Sequence, residues 1–175
     1  DGQGSVIPVQ IRPPEEVLED VPGWMRHAVT GHPMVLEQGE PVPSDDYRYL
    51  DRHPRTAAGI SEDGTRLYLV TVDGRRKGWS MGMRVSQLAW MMKGLGAHRA
   101  VNLDGGGSTT MVVPSLGGRQ NWPCDRKHEE RPVLNHIGVM VHGMKWSWPQ
   151  QPAFAPPGSW LVRGGLGAVA PHLSF

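Results

Sequence analysis

The sequence predicts an α+β domain built on a mixed β-sheet with a βαβ crossover. Three observations carry that reading. Residues 56–61 and 66–72 are β-prone runs separated by "EDGT", an Asp-Gly hairpin turn. Val85, Leu88, Ala89, Met92 and Leu95 then recur at helical spacing, which places one apolar stripe against a core. Directly afterwards "RAVNLD" reads as a short buried strand. Strand, helix and strand in that order form a crossover, which calls for a parallel pairing of the two strands.

The elements follow in chain order. Residues 1–26 form an irregular, proline-containing segment with one short helix expected at residues 14–20, where Pro13 and Pro14 precede Glu15 and Glu16. Proline tolerates a helix start, and acidic side chains favour its positive end. Residues 34–37 read as a strand closed by a Gln-Gly turn. In residues 66–72 both alternating sets are largely apolar, so this strand is expected to be covered on both faces, as a central strand is. Gly94 and Gly96 are placed to end the helix. "TTMVV" starts another strand, residues 115–128 form a loop, and a last strand is expected at residues 137–141. The main domain is thus expected over residues 27–143. Residues 144–175, rich in Trp, Pro and Gly without periodicity, read as an irregular tail.

Bulk properties narrow the function. A net charge of +1, with no basic stripe interleaved with aromatics, argues against nucleic acid as the partner. No run is apolar for long enough to span a membrane. With 23 glycines and 16 prolines in 175 residues, turns and irregular loops are abundant. The single cysteine, Cys124, has no partner for an intrachain disulfide and no evident catalytic neighbour. Histidine spacing offers no zinc site, and nothing calls for a cofactor.

The chemistry concentrates in "NLDGGGSTTM", residues 102–111. It follows a buried strand, and open α/β sheets place ligands at the carboxyl ends of their strands. A glycine-rich turn followed by Ser108, Thr109 and Thr110 can offer backbone N–H and hydroxyl donors to an anion. It is neither a Walker loop nor a dinucleotide fingerprint, because the required residues and spacing are absent. A tight turn capped by Asp104 through an Asx hydrogen bond accounts equally well for the pattern. Spacing alone leaves both open.

Three segments, "HPRTAAGISEDGTRLYLVTVDGR", "GMRVSQLAWMMKGLGAHRAVNLDGGGSTTMVV" and "ERPVLNHIGVMV", resemble the phosphodiester glycosidase family in order and spacing. The resemblance covers roughly residues 27–142, without the family's upstream part. It implies a polar surface cavity and hydrolysis of a sugar-1-phosphodiester at the anomeric carbon, leaving a phosphomonoester. The implied partner is a sugar phosphodiester or a phosphorylated polysaccharide, and the implied location is secreted or associated with the cell envelope. A non-catalytic phosphosugar-binding domain, or an inactive fragment, is the alternative. The positions that match the family's motifs are His53, Arg55, Asp73, Asn102, Asp104, Gly105, Gly106, Gly107, Ser108, Thr109, Arg131 and Asn135.

Chemistry sorts these positions into roles. Arg55 and Arg131 can grip a phosphate at two points. Glycosidic cleavage usually employs two carboxyl groups, and Asp73 and Asp104 close two neighbouring predicted strands. His53 can act as acid, base or donor near neutrality. Arg66, Arg75, Arg76, Arg84 and Arg99 lack such context and read as solvated. Trp79, Trp90, Trp122 and the tail tryptophans can stack on a sugar, and of these Trp90 lies among apolar helix positions and reads as core.

Overall fold

A computed structural model describes residues 10–11, 27–43, 49–125 and 129–139. Its centre is a five-stranded sheet in the order β2-β1-β5-β3-β4, with one helix packed against it. The strands are β1 (Met34–Glu37), β2 (Glu40–Pro41), β3 (Arg55–Ile60), β4 (Leu67–Val72) and β5 (Arg99–Asn102), and the helix α1 is Val85–Leu95. A separate two-stranded hairpin joins β6 (Val112–Val113) to β7 (Gly118–Arg119).

The β3–β4 hairpin forms where the Asp-Gly turn predicts it, with Arg55 opposite Val72 and Ile60 opposite Leu67. Asp63 holds the turn, accepting from the Ser61 hydroxyl at 2.6 Å and from the Thr65 N–H and hydroxyl. These hydrogen bonds draw its pKa down to about 2.

The expected parallel pairing across the crossover does not form. Every pairing in the described sheet is antiparallel, because β3 lies between β4 and β5 and runs opposite to both. The tight turn commits one edge of β3 to β4, so the strand returning from α1 takes the edge of β3 that remains. The two strands joined by α1 therefore run in the same direction without touching, and both end at one edge of the sheet.

A second correction concerns β4, which is an edge strand of the described sheet. Tyr68 and Val72 are buried and Val70 packs against the core, while Leu67 is exposed. Its outward set is apolar without being sealed. Nor do residues 137–139 form a strand; they are exposed and irregular. The helix expected at residues 14–20 and the tail beyond residue 143 lie outside the described residues.

Helix α1 has the predicted stripe. Val85, Leu88, Ala89, Met91 and Met92 are buried against Leu36, Ala57, Tyr68, Val72 and Ala100 of the sheet. The Arg84 N–H donates to Gln87 Oε1 at the start, and Gly96 ends the helix in the left-handed region at φ 95°. Trp90 points away from this core and is 55% exposed, so it is not a core residue.

Leu88 is fully buried at the centre of this interface. Leu88→Ala is expected to cost about 2–5 kcal/mol, read as a lowered urea midpoint. An unchanged midpoint would show that the helix–sheet interface does not hold the fold.

Candidate functional site

The helix-facing side of β3 carries Arg55, Ala57 and Gly59, because these pair with Val72, Val70 and Tyr68 of the core face. On β5 the same face carries Ala100 and Asn102, opposite Gly59 and Ala57. Arg55 and Asn102 are thus core-facing positions at the sheet's edge, and both are only 5% exposed. Here they open into a cavity of about 620 Å³.

Two loops close on this edge and grip residues 53–55 between them. From one side, His53 and Met83 exchange backbone hydrogen bonds at 3.3 and 2.9 Å. Any Cβ at Gly82 would run into the His53 carbonyl. From the other side, the Gly106 N–H donates to the Pro54 carbonyl at 3.0 Å, and a Cβ at Gly105 would lie 2.7 Å from that oxygen. Such distances are closer than side-chain carbons tolerate. Glycine permits the approach.

The approach assembles three arginines around one cavity: Arg55, Arg75 and Arg131. Arg55 is fixed by Nε donating to the Met83 carbonyl and Nη2 donating to the Asp51 carbonyl, each at 2.9 Å. Burial lowers its pKa, with a smaller contribution from Arg75, while Tyr49 opposes the shift. Arg75 donates from Nε to His53 Nδ1 at 3.3 Å. Arg131 makes a two-point pair with Asp125, at 2.7 and 3.0 Å, and this pairing raises its pKa.

His53 is held below the ordinary histidine range, first by burial and then by Arg75 and Arg55. Because Nδ1 accepts from Arg75, a neutral His53 carries its proton on Nε2. Asn102 donates from Nδ2 to the His32 carbonyl at 2.8 Å, while its buried Oδ1 has no hydrogen-bond partner. A buried oxygen left in that state is an acceptor awaiting a donor.

Asp104, exposed at the rim, is the one carboxylate among the described residues lining the cavity. Its side chain does not cap the glycine turn. The glycines themselves enter a 3₁₀ turn at Gly106–Ser108, with Gly106 at φ 60°. The N–H groups of Gly106, Ser108 and Thr109 all donate to carbonyls within the protein. Three donors of this loop therefore serve the fold and do not face a ligand.

The remaining sequence candidates lie outside the cavity lining. Thr109 is buried and bonded to the Thr56 hydroxyl at 3.4 Å, and Ser108 lies within the 3₁₀ turn. Asn135 is in the exposed 129–139 segment. Both oxygens of Asp73 are engaged, Oδ1 by the Trp122 N–H at 2.8 Å and Oδ2 by Trp79 Nε1 at 3.4 Å. Conversely, His32, Tyr49 and Arg75 line the cavity without having stood out in the sequence. Arg75 comes to the cavity because the turn after β4 lies at the same end of the sheet as the end of β5, a placement that only the tertiary pairing decides. No group of three or more metal-ligating side chains occurs among the described residues, and no described helix is long and apolar enough to cross a membrane.

A family model described as phosphodiester glycosidase matches residues 4–140. Among solved structures, a Burkholderia pseudomallei K96243 protein named as a candidate exported protein is 48% identical, with a TM-score of 0.44, over 49% of this chain and 16% of that one. The catalytic domain of zebrafish N-acetylglucosamine-1-phosphodiester alpha-N-acetylglucosaminidase, auto-inhibited by its pro-peptide, is 28% identical with a TM-score of 0.48. That match covers 60% of this chain and 38% of the zebrafish one. A hypothetical protein from Synechocystis is 26% identical, with a TM-score of 0.44, over 53% of this chain and 18% of that one. The present chain therefore spans less than two-fifths of each of these structures. No curated protein matches it.

The geometry around His53 sets a pH dependence. Its ring protons should titrate below the ordinary value of about 6.5 in an NMR experiment. The unfolded chain then binds that proton more tightly than the folded one. The contribution of His53 to stability is complete above the unfolded value and is lost as pH falls through the folded one. A midpoint at or above 6.5 would mean that the ring is neither desolvated nor faced by the arginines as the structure places it.

Proposed function

The chain belongs to the phosphodiester glycosidase family, and from that membership we propose that the cavity binds and hydrolyses a sugar-1-phosphodiester. The observation that carries the reading is the convergence of Arg55, Arg75 and Arg131 on one polar cavity in which Asp104 is the one carboxylate among the described lining residues. A phosphodiester bears one negative charge, and Arg55 and Arg75 face it while Arg131 shares its charge with Asp125.

In this reading Arg55 and Arg75 hold the non-bridging phosphate oxygens, with His53 donating from Nε2. Arg131, with Asp125 gripping two of its nitrogens, presents the remainder of its fork. Asn102 Oδ1 accepts a hydroxyl or amide proton from the sugar, which supplies its missing partner. The bond broken joins the anomeric carbon to the phosphate oxygen, and the bond formed joins that carbon to a water oxygen. Asp104 takes the proton of the water, and the electron pair leaves with the phosphomonoester. Because that leaving group is already an oxyanion of low basicity, one carboxylate suffices where glycosidases of ordinary alcohols use two. Asp73 acts through the residues it holds and is a positioning residue here. Gly105, Gly106 and Gly107 shape the wall, while Ser108 and Thr109 lie outside it and support the turn. Asn135 receives no geometric role. A secreted or cell-envelope location suits a phosphorylated polysaccharide as substrate.

The test is release of free sugar and phosphomonoester from a sugar-1-phosphodiester by the 175-residue chain. Asp104→Asn should leave a folded protein that still binds substrate and turns it over about 10²–10⁴-fold more slowly. Turnover equal to wild type would remove Asp104 from the reaction. Tight binding without turnover in the wild type would identify a phosphosugar-binding module instead. Arg131→Lys should raise the Kd about tenfold despite keeping the charge, because a lysine cannot serve Asp125 and the phosphate together. Calorimetric titration checks this, and an unchanged Kd would confine Arg131 to its pair with Asp125.

A further inference from the structure

The glycines of the cavity wall each meet a different neighbour. Gly105 lies against the Pro54 carbonyl. A Cβ at Gly106 would stand 3.1 Å from Nη1 of Arg75 and 3.5 Å from its Cζ and Nη2. A Cβ at Gly107 would run into the guanidinium of Arg131 and into Oδ1 of its partner Asp125. The ends of two arginines therefore rest on bare backbone, at two successive residues. They come from segments far apart in the chain, since Arg75 follows β4 and Arg131 lies in the 129–139 segment. Consecutive Cα atoms are about 3.8 Å apart, so the turn sets both cations against points one residue apart.

In this contact the backbone is the fixed party. The Gly106 N–H donates to the Pro54 carbonyl at 3.0 Å, the Ser108 N–H to the Gly105 carbonyl at 3.1 Å, and the Thr109 N–H to the Gly106 carbonyl at 3.3 Å. The side chains are the yielding party. Arg75 is held to His53 by a bond of 3.3 Å, and the side chain of Arg131 is 47% exposed. A methyl group added to the turn would push a guanidinium aside before it opened the turn. Gly106 needs glycine for its φ of 60° as well. Gly107 is not among the residues at positive φ, so the ion pair seated on it is what calls for a missing side chain there.

We propose that Gly106 and Gly107 are positioning residues, paired seats that space the Arg75 and Arg131 guanidiniums so that both face one phosphate. The proposal rests on the phosphodiester reading of the cavity and deepens it. The loop acts on the anion through the cations it seats.

Two readouts need no substrate and so test the seats separately from that reading. In Gly107→Ala the Arg131–Asp125 pair should separate, seen in nitrogen–proton NMR at low temperature as loss of the Arg131 Nε–H signal that the pair protects. The urea midpoint should stay close to that of the wild type. In Gly106→Ala the guanidinium of Arg75 should leave His53, and the His53 midpoint should rise. Burial and Arg55 still lower that midpoint and Asp51 still raises it, so it should remain below 6.5. Gly106→Asn places the same Cβ on a residue that tolerates this φ, and it serves where the alanine variant does not fold. An Arg131 signal that survives in Gly107→Ala, or a His53 midpoint that does not move in the folded Gly106 variant, overturns the seats whatever the cavity binds. The third readout is calorimetric titration with the methyl ester of N-acetylglucosamine-1-phosphate. Gly107→Ala should raise the Kd about tenfold in the wild-type background and leave it unchanged in Arg131→Ala. Equal losses in both backgrounds would show that Gly107 acts without Arg131 and overturn the proposal. A wild-type chain that does not bind the ester, with both NMR changes present, would overturn the phosphodiester reading and leave the two seats in place.

Discussion

Everything at the site depends on how closely two loops can approach the backbone of His53, Pro54 and Arg55. Gly82 lies against the His53 carbonyl from one side and Gly105 against the Pro54 carbonyl from the other. No side-chain carbon fits at either place. With the strip held in this way, the start of β3 and the ends of β4 and β5 share one edge, and Arg55, Arg75 and Arg131 face a common space. The glycine run in the sequence is thus first a packing device. Its donors close a 3₁₀ turn and bind Pro54, and the cations that it lets in supply the field for an anion.

The electrostatics follow from which partners the arginines are given. Arg55 is fixed by two carbonyl oxygens, which orient the guanidinium without cancelling its charge. Arg131 is paired with Asp125 and so contributes geometry more than net charge. Arg75 leans on a histidine that its own charge helps to keep neutral. Among the described residues, the cavity lining thus carries three arginines beside one exposed carboxylate, Asp104. Such an arrangement suits a monoanion.

Much of this was legible in the sequence. The β3–β4 hairpin and α1 follow from an Asp-Gly turn and a helical apolar period, both of which are local signals. The insertion of β3 between β4 and β5 is a tertiary choice that no local pattern encodes. Leu67, Leu69 and Thr71 look like the covered face of a central strand, yet they belong to an edge strand of the described sheet. Asp104, Arg55, His53 and Asn102 were visible as a motif and converge on the cavity. Arg75 was not, because its polar turn gives no hint of what lies across from it. Trp90 repeats the lesson from the other side, since a tryptophan among apolar helix positions faces outward with Lys93 over its ring at 5.3 Å.

Phosphorus NMR of the 175-residue chain mixed with a sugar-1-phosphodiester reads the cavity's occupancy and chemistry together. The diester resonance is expected to broaden through exchange with the cavity and give way to a phosphomonoester resonance. Both effects should vanish in Gly105→Ala, whose Cβ would force the loop away from Pro54. A sharp, persistent diester resonance with the folded wild-type chain would show that the cavity neither binds nor hydrolyses the diester.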